Sequence, residues 1–294
     1  MDLKAILMGL AFAAMWSSAF TSARIIVTAA PPLFALSLRF LISGLLAIVI
    51  ARALGQGFGL TRAQWRATLV FGICQNALYL GLNFVAMQSV EASLAAIIAS
   101  TMPLMVAFAG WAVLGQRLPA LGVAGLAAGV AGVVVIMGAR LSGGVDLGGV
   151  ALCVLGAAAL ATATLSLRSA SSGGNVLMVV GYQMLVGAAA LLLPALVLEE
   201  PVFEPSWTLF WAFAYTTIVP GVIATLVWFL LVDRIGAVKA ATFHFLNPFF
   251  GVAIAAAFLG EALGALDVVG VAIIAAGILA VQLSRAQKVP PPAE

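Results

Sequence analysis

Ten apolar runs, each about as long as a membrane is thick, follow one another along this chain with short polar connections. A bilayer's hydrocarbon core is about 30 Å thick, so a helix needs about 20 apolar residues to cross it. Breaking the runs at Gly, Pro and charged residues predicts spans 1 to 5 at 4–27, 33–51, 66–88, 92–114 and 119–139. Spans 6 to 10 are predicted at 147–168, 174–197, 206–232, 237–259 and 265–284. The chain is therefore predicted to be an all-α integral membrane protein with ten transmembrane helices.

The composition leaves little material outside the bilayer. Of 294 residues, 64% are apolar and 8% are charged, whereas soluble domains carry about 25% charged residues. The net charge of +3 does not indicate a nucleic-acid partner, because the cations lie beside the apolar runs. We expect the lipid bilayer as the surroundings and a small-molecule substrate as the partner. The expected assembly is a monomer, with a dimer as the alternative.

Positive charges divide unequally between the two sets of connections. With the N-terminus in the cytoplasm, the cytoplasmic side holds Lys4, Arg52, Arg62, Arg66, Arg117, Arg168, Arg234, Lys239, Arg285 and Lys288, and the other side holds Arg24 and Arg140. Cytoplasmic loops of membrane proteins are enriched in Lys and Arg. Both termini are therefore predicted to be cytoplasmic.

The two halves of the chain repeat one another with an offset of 145 residues. The offset places Pro103 on Pro248, Gly115 on Gly260, Gln116 on Glu261, Gly125 on Gly270 and Gly132 on Gly277. Because five spans are an odd number, the second copy must enter the membrane from the opposite side, which makes an inverted-topology pair. We predict repeats at 1–143 and 144–285 and a disordered cytoplasmic tail at 286–294. Inverted repeats favour transport by alternating access.

The repeat residues also carry a resemblance to a known family. Paired prolines in spans 4 and 9, the endings "LGQRL" and "LGEAL", the Gly-rich spans 5 and 10 and the opening "FAAMWSSAF" resemble the EamA type of the drug/metabolite transporter superfamily over essentially the whole chain. Within it, the sequence looks most like the YddG-type amino-acid exporters. This resemblance implies a ten-helix bundle in a bacterial inner membrane that exports amino acids or related metabolites.

Span 3 carries a set of polar side chains that are candidates for substrate binding. At α-helical spacing Gln75, Tyr79 and Asn83 share one face, and Asn76 lies beside it. Polar side chains inside a membrane are costly and are often functional. They would hydrogen-bond the amino and carboxylate groups of a zwitterion. The alternative is hydrogen bonding between helices, worth about 1 kcal/mol or less in membranes.

Spans 4 and 9 combine a proline with polar neighbours. His244 and Asn247 precede Pro248, and Ser100 precedes Pro103. Proline lacks an N–H group and leaves a carbonyl one turn earlier without its donor. We predict that His244, Asn247 and Ser100 bind substrate and that both prolines act as hinge or gating points. The alternative is that the prolines only kink helices for packing.

Three further residues complete the predicted binding set. Trp16 and Ser17 lie in span 1 and Trp228 in span 8, where an indole ring would hold an apolar side chain or a cationic amine. Arg39, within span 2, is assigned a hinge or gating role in preference to direct binding of a carboxylate. Its guanidinium would pair with backbone carbonyls or a cavity water, or reach the outer interface.

The residue types and motifs that the sequence does not contain exclude several classes of function. No Asp or Glu falls near the centre of any predicted span, which favours a facilitator-like exporter of neutral solutes over a proton-driven cation pump. The sequence holds no metalloprotease, Gly-x-Ser-x-Gly or phosphate-loop motif and one histidine, so we expect neither an enzyme nor a metal or other cofactor. The prediction is an alternating-access exporter of aromatic, hydrophobic and other neutral amino acids or related metabolites. The alternative is a multidrug or lipid-like amphiphile exporter of the same fold.

Overall fold

The ten predicted spans are present in the structure, a computed structural model that describes residues 3–113, 115–166 and 175–286. Spans 1, 2, 5, 6, 7 and 10 are single helices at Leu3–Val27, Pro32–Ala53, Ala120–Ser142, Leu147–Ser166, Val176–Leu198 and Ala265–Ala286. Ten helices in the described part are long and apolar enough to cross a membrane. The prediction of an all-α chain with ten membrane spans is confirmed.

The other four spans change their winding partway. Span 3 runs as α-helix at Arg62–Phe71, π-helix at Gly72–Leu80 and α-helix at Gly81–Ala86, and span 8 as Trp207–Ile218, π-helix Val219–Ile223 and Ala224–Ile235. Span 4 consists of Ala92–Ser100 and Met102–Ala112, and span 9 of Ala237–Thr242, 3₁₀-helix Phe243–Leu246 and Asn247–Leu259. Moved by 145 residues, each irregular segment overlaps its counterpart in the other half. The repeat is thus visible in the backbone.

The chain forms two compact units, and each unit takes helices from both sequence repeats. The first unit comprises Met1–Thr21, Ala92–Asp146 and Ala224–Glu294, and the second comprises Ser22–Glu91 and Leu147–Ile223. Spans 4, 5, 9 and 10 belong to the first unit and spans 2, 3, 6 and 7 to the second. The repeats at 1–143 and 144–285 are therefore units of sequence rather than of packing. Of the predicted tail, residues 287–294 lie outside the described part.

In the first unit, spans 5 and 10 pack backbone to backbone through glycines. A Cβ atom added to Gly125 would lie 2.7 Å from the carbonyl oxygen of Gly277, and one added to Gly132 would lie 2.8 Å from that of Gly270. Such approach requires residues without side chains. The contacting residues advance along span 5, from Gly125 to Gly132, as they go back along span 10, from Gly277 to Gly270. These repeat-related helices are therefore antiparallel.

The second unit shows the same relation between spans 2 and 7. Ser37 donates a hydrogen bond to the carbonyl of Ala188 at 2.9 Å, and a Cβ atom on Gly44 would lie 3.0 Å from the carbonyl oxygen of Gly181. These helices also occupy equivalent places in the two repeats and run antiparallel. Inverted topology is therefore confirmed within each unit.

Carboxylates close the ends of two spans. Glu199 accepts hydrogen bonds from the backbone N–H groups of Leu33 and Phe34, both at 2.8 Å, where span 2 begins. Glu261 accepts from Ala92 at 2.8 Å and Ser93 at 2.9 Å, where span 4 begins. A helix start offers unpaired N–H groups and a positive dipole end, which a carboxylate satisfies. The sequence places these acids at span ends, and the structure shows that they cap the starts of spans 2 and 4.

Candidate substrate-binding site

The break in span 9 sets the position of its two polar side chains. Pro248 is the second residue of the helix Asn247–Leu259 and has no N–H group to offer the carbonyl of His244. The backbone N–H of Asn247 bonds that carbonyl instead, which tightens the preceding turn into a 3₁₀-helix. His244 and Asn247 therefore lie on a short, irregular segment inside the span, as the sequence pattern predicted.

His244 and Asn247 form a polar pair with one unfilled position. The side-chain amide nitrogen of Asn247 lies 3.0 Å from Nδ1 of His244, and Ser17 donates to the backbone carbonyl of Asn247 at 3.1 Å. The amide oxygen Oδ1 of Asn247 is buried and has no hydrogen-bond partner among the described residues. A buried acceptor left unpaired costs about 1–3 kcal/mol. This oxygen is therefore a ready acceptor for a donor group on a bound solute.

Aromatic rings pack against His244 and against one another. The ring of Phe12 meets that of His244 edge-on at 5.4 Å, and the ring of Trp228 lies 5.2 Å from His244 and 4.7 Å from Phe12. Trp16 stands 5.7 Å from Phe12 on the same helix. We call Phe12, Trp16, Ser17, Trp228, His244 and Asn247 the span 9 cluster; all six belong to the first unit.

The span 9 cluster joins an apolar wall to a few convergent polar groups. Phe12 and Ser17 are buried, while Trp16, Trp228 and His244 keep part of their surface accessible. Such a composition is typical of small-molecule sites. The structure thus brings together five of the residues predicted to bind substrate. It adds Phe12, which the sequence analysis missed although it precedes Trp16 by one helical turn.

Ser100 and Pro103 occupy the equivalent break in span 4, with a different outcome. Pro103 is buried near the start of the helix Met102–Ala112. The Ser100 hydroxyl donates to the carbonyl of Ala96 at 2.6 Å, and the Thr101 hydroxyl donates to the carbonyl of Ile98 at 2.7 Å. Both hydroxyls are therefore bonded within span 4. Substrate binding by Ser100 and hinge roles for the two prolines stay predictions.

The span 3 residues lie in the second unit and pack against neighbouring helices. The side-chain amide of Asn76 donates to the carbonyl of Gln183 at 2.9 Å, and that of Asn83 donates to the carbonyl of Tyr79 at 2.7 Å. Asn76, Tyr79 and Asn83 are buried, whereas Gln75 keeps part of its surface.

The predicted face of Gln75, Tyr79 and Asn83, with Asn76 beside it, lies along a segment that is largely π-helix, at Gly72–Leu80. A π-helix has a wider turn than the α-helix on which the predicted face was drawn. The bond from Asn76 joins spans 3 and 7, which is the helix-packing alternative. Substrate binding by these four residues stays a prediction.

Arg39 is also in the second unit and is buried. Its Nε donates to the carbonyl of Thr216 at 3.2 Å, and its guanidinium carbon lies 5.2 Å from the centre of the Phe40 ring. Pairing with a backbone carbonyl is one of the three arrangements that the sequence suggested. Its hinge or gating role is untested.

The ten-span fold with antiparallel repeat-related helices defines a multi-pass membrane protein built on an inverted repeat. The sequence profile of the EamA-like transporter family matches residues 3–138 and again 147–283, so the match covers nearly the whole chain in two copies. The protein belongs to the EamA-like transporter family of the drug/metabolite transporter superfamily. The resemblance stated from the sequence is confirmed at the level of the family.

Individual relatives agree with this assignment. The chain is 29% identical to the uncharacterized transporter YvbV of Bacillus subtilis (strain 168), over 93% of this chain and 90% of that protein. It is 24% identical to the chloroplastic WAT1-related protein At3g02690 of Arabidopsis thaliana, over 88% of this chain and 64% of that protein. A crystal structure of another protein shares the fold, with a TM-score of 0.70 at 22% identity, over 98% of this chain and all of the other.

Proposed function

We propose that this transporter exports amino acids, with neutral aromatic and hydrophobic ones preferred, in the manner of the YddG-type exporters. The observation that carries the proposal is the span 9 cluster. Asn247 has a buried amide oxygen without a partner and contacts His244 through its amide nitrogen, and His244 packs against the rings of Phe12 and Trp228. An amino acid has complementary chemistry, because it joins an ammonium donor to an apolar side chain.

Each part of the amino acid has a partner in this proposal. The ammonium group donates to Oδ1 of Asn247 and gains attraction from the faces of Trp16 and Trp228. The side chain packs against Phe12 and the same indole rings. His244, held by Asn247 at 3.0 Å, fixes the amide so that its oxygen stays available. The binding energy then depends on several weak contacts, as release on the other side requires.

Transport is proposed to be facilitator-like and to proceed by alternating access. Antiparallel repeat-related helices supply the symmetry that lets two halves exchange conformations. Acidic side chains that the described part places at span ends have structural partners: Glu199 and Glu261 cap helices, and Asp267 pairs with Arg140 at 3.0 Å. These carboxylates stabilise the helix ends instead of carrying protons through the membrane.

The proposed location is a bacterial inner membrane with both termini in the cytoplasm. The support is the distribution of ten Lys and Arg residues on one side against two on the other. The proposed partners are the lipid bilayer and the small-molecule substrate, and the proposed assembly is a monomer.

The test is uptake into liposomes that contain the purified protein. Labelled aromatic, aliphatic and charged amino acids are supplied with and without a proton gradient, beside Asn247→Leu protein at equal reconstitution. We expect saturable flux of neutral amino acids, independent of the gradient and lowered at least about 100-fold by the substitution. Flux of a lipophilic cation or a lipid in place of amino acids would move the assignment to a multidrug or amphiphile exporter.

A further inference from the structure

Arg39 is a buried cation that uses one of its five N–H donors. Its side chain is 5% exposed, and within the described part its hydrogen bond is the one from Nε to Thr216. A guanidinium stays charged in proteins and presents its donors as a planar fork. The four N–H groups on Nη1 and Nη2 therefore remain available to another group.

No carboxylate in the described part of the second unit neutralises Arg39. The acids of that unit are Glu91, Glu199, Glu200 and Glu204, and none forms an ion pair with the guanidinium. Glu199 is engaged at the start of span 2. A charged side chain inside a membrane is costly and usually pairs with another group or faces a solute pathway. The neighbouring Phe40 ring and a single carbonyl are weak compensation for a full charge.

Span 8 fixes the orientation of the guanidinium. Pro220 has no N–H group, so the carbonyl of Thr216 lacks its usual helical donor, and Nε of Arg39 takes that place at 3.2 Å. One turn further along span 2, Ser43 donates to the carbonyl of Thr217 at 3.1 Å.

Gly221 lets span 8 approach this contact closely. A Cβ atom added to Gly221 would lie 3.1 Å from the Ser43 hydroxyl and 3.6 Å from Nη2 of Arg39. The guanidinium is thus held along its Nε edge, while its Nη1 and Nη2 end stays unbonded. A rigid, unbonded fork of this kind matches a carboxylate, which accepts two parallel N–H bonds.

We infer that Arg39 binds the carboxylate of the transported solute during its passage. The identity of that solute rests on the proposed function, whereas the preference for a carboxylate rests on Arg39 and its surroundings. Arg39 then acts in recognition, and the Thr216 carbonyl and Pro220 act by positioning it. An inorganic anion such as chloride offers the same charge without the paired oxygens.

The first experiment compares an amino acid with its amide as competitors of labelled amino-acid uptake in liposomes. The amide keeps the side chain and the ammonium group and lacks the carboxylate. For the natural chain we expect the acid to compete at a concentration at least about tenfold lower than the amide. Arg39→Gln should bring this ratio to about one, and Arg39→Lys, which keeps the charge and loses the fork, should give an intermediate ratio.

Arg52→Gln is the matched control, because Arg52 lies on the same helix and donates to the carbonyl of Gln56 at 2.8 Å in an exposed region. It should leave the ratio unchanged. An unchanged ratio in Arg39→Gln would overturn the inference. If Arg39→Gln does not fold, an unchanged ratio in Arg39→Lys does so instead.

The second experiment separates this inference from the proposed function. The thermal unfolding midpoint of the purified chain is measured with propionate, with propionamide and with chloride, at equal ionic strength. Propionate alone should raise the midpoint, and Arg39→Gln should abolish the rise while Arg52→Gln keeps it. That result supports the carboxylate site even if no amino acid is transported. Equal rises with chloride and propionate, or no rise at all, would refute it.

Discussion

Spans 5 and 10 and spans 4 and 9 belong to the same unit, yet they keep the repeat symmetry to different degrees. In the first pair the symmetry reaches individual residues, since Gly125 faces Gly277 as Gly132 faces Gly270. In the second pair it reaches the backbone, with a proline at each break, while the side chains differ. Residues Ala92–Ser100 are all buried, whereas His244 keeps part of its surface accessible.

The difference follows from the proposed function, in which spans 5 and 10 pack together and span 9 binds the solute. Close packing of two helices constrains both partners equally, so both copies retain small residues. A binding site needs its chemistry once. Ser100 returns its hydrogen bond to its own helix, whereas Asn247 keeps a buried oxygen without a partner. The shared break supplies an irregular segment in both spans, and the segment in span 9 carries a polar pair with one unpaired acceptor.

The largest expected difference is between single substitutions at the irregular segments of span 9 and span 4, made separately. His244→Leu and Asn247→Leu should each lower transport about 100-fold or more, because each removes a polar group of the span 9 cluster. Ser100→Ala should change transport less than about threefold, since its hydroxyl is bonded within span 4. Initial rates in liposomes at equal protein content measure both. Equal losses at the two breaks would show that span 4 contributes as much as span 9.

Substitutions in spans 5 and 10 test whether equivalent glycines of the two repeats contribute equally to stability. Gly125→Val and Gly270→Val occupy equivalent places, and each should lower the free energy of unfolding by about 2 kcal/mol by forcing the backbones apart. Gly138→Ala in span 5 is the control, because an added Cβ atom there meets nothing within 4 Å. Unfolding in mixed detergent followed by circular dichroism gives the values. A large effect at one glycine and none at the other would refute the residue-level symmetry.

The smallest expected effect concerns the helix starts, where in each unit a glutamate accepts two backbone N–H hydrogen bonds. Glu261→Gln and Glu199→Gln each weaken a carboxylate that accepts two backbone N–H bonds, and each should cost about 1 kcal/mol of unfolding free energy. Glu200→Gln, which changes an exposed neighbour of Glu199, should cost less than about 0.5 kcal/mol. The same unfolding assay applies. A null result for Glu261 alone would confine the effect to span 2.

Much of the fold was predictable because membrane-spanning segments obey simple physical rules. Length and apolarity predict ten spans, and the structure has ten in its described part. The 145-residue repeat predicts antiparallel partners, which the glycine contacts of spans 5 and 10 confirm. These properties depend on the length and apolarity of each segment relative to the bilayer. They can therefore be predicted without knowing which helices contact one another.

The site was predictable in part. The proline rule placed His244 and Asn247 at a break in span 9, but nothing local indicated that Phe12 and Trp228 would meet there at 4.7 Å. In span 3 the α-helical period did not predict the π-helix at Gly72–Leu80, which has a counterpart in the repeat-related span 8. Helix winding depends on packing against neighbours, which one sequence window does not contain.

The sequence by itself determined that the chain lies in a lipid bilayer, how many spans it has, that its repeats are inverted and which family it belongs to. Only the tertiary structure decided that the compact units draw on both repeats, that Asn247 contacts His244 and keeps an unpaired oxygen, and that Arg39 bonds the Thr216 carbonyl. Hydrophobicity acts on each segment separately and can be recognised along the chain. Hydrogen bonding and packing act between segments hundreds of residues apart, as between Ser17 and Asn247, and become defined when the helices come together.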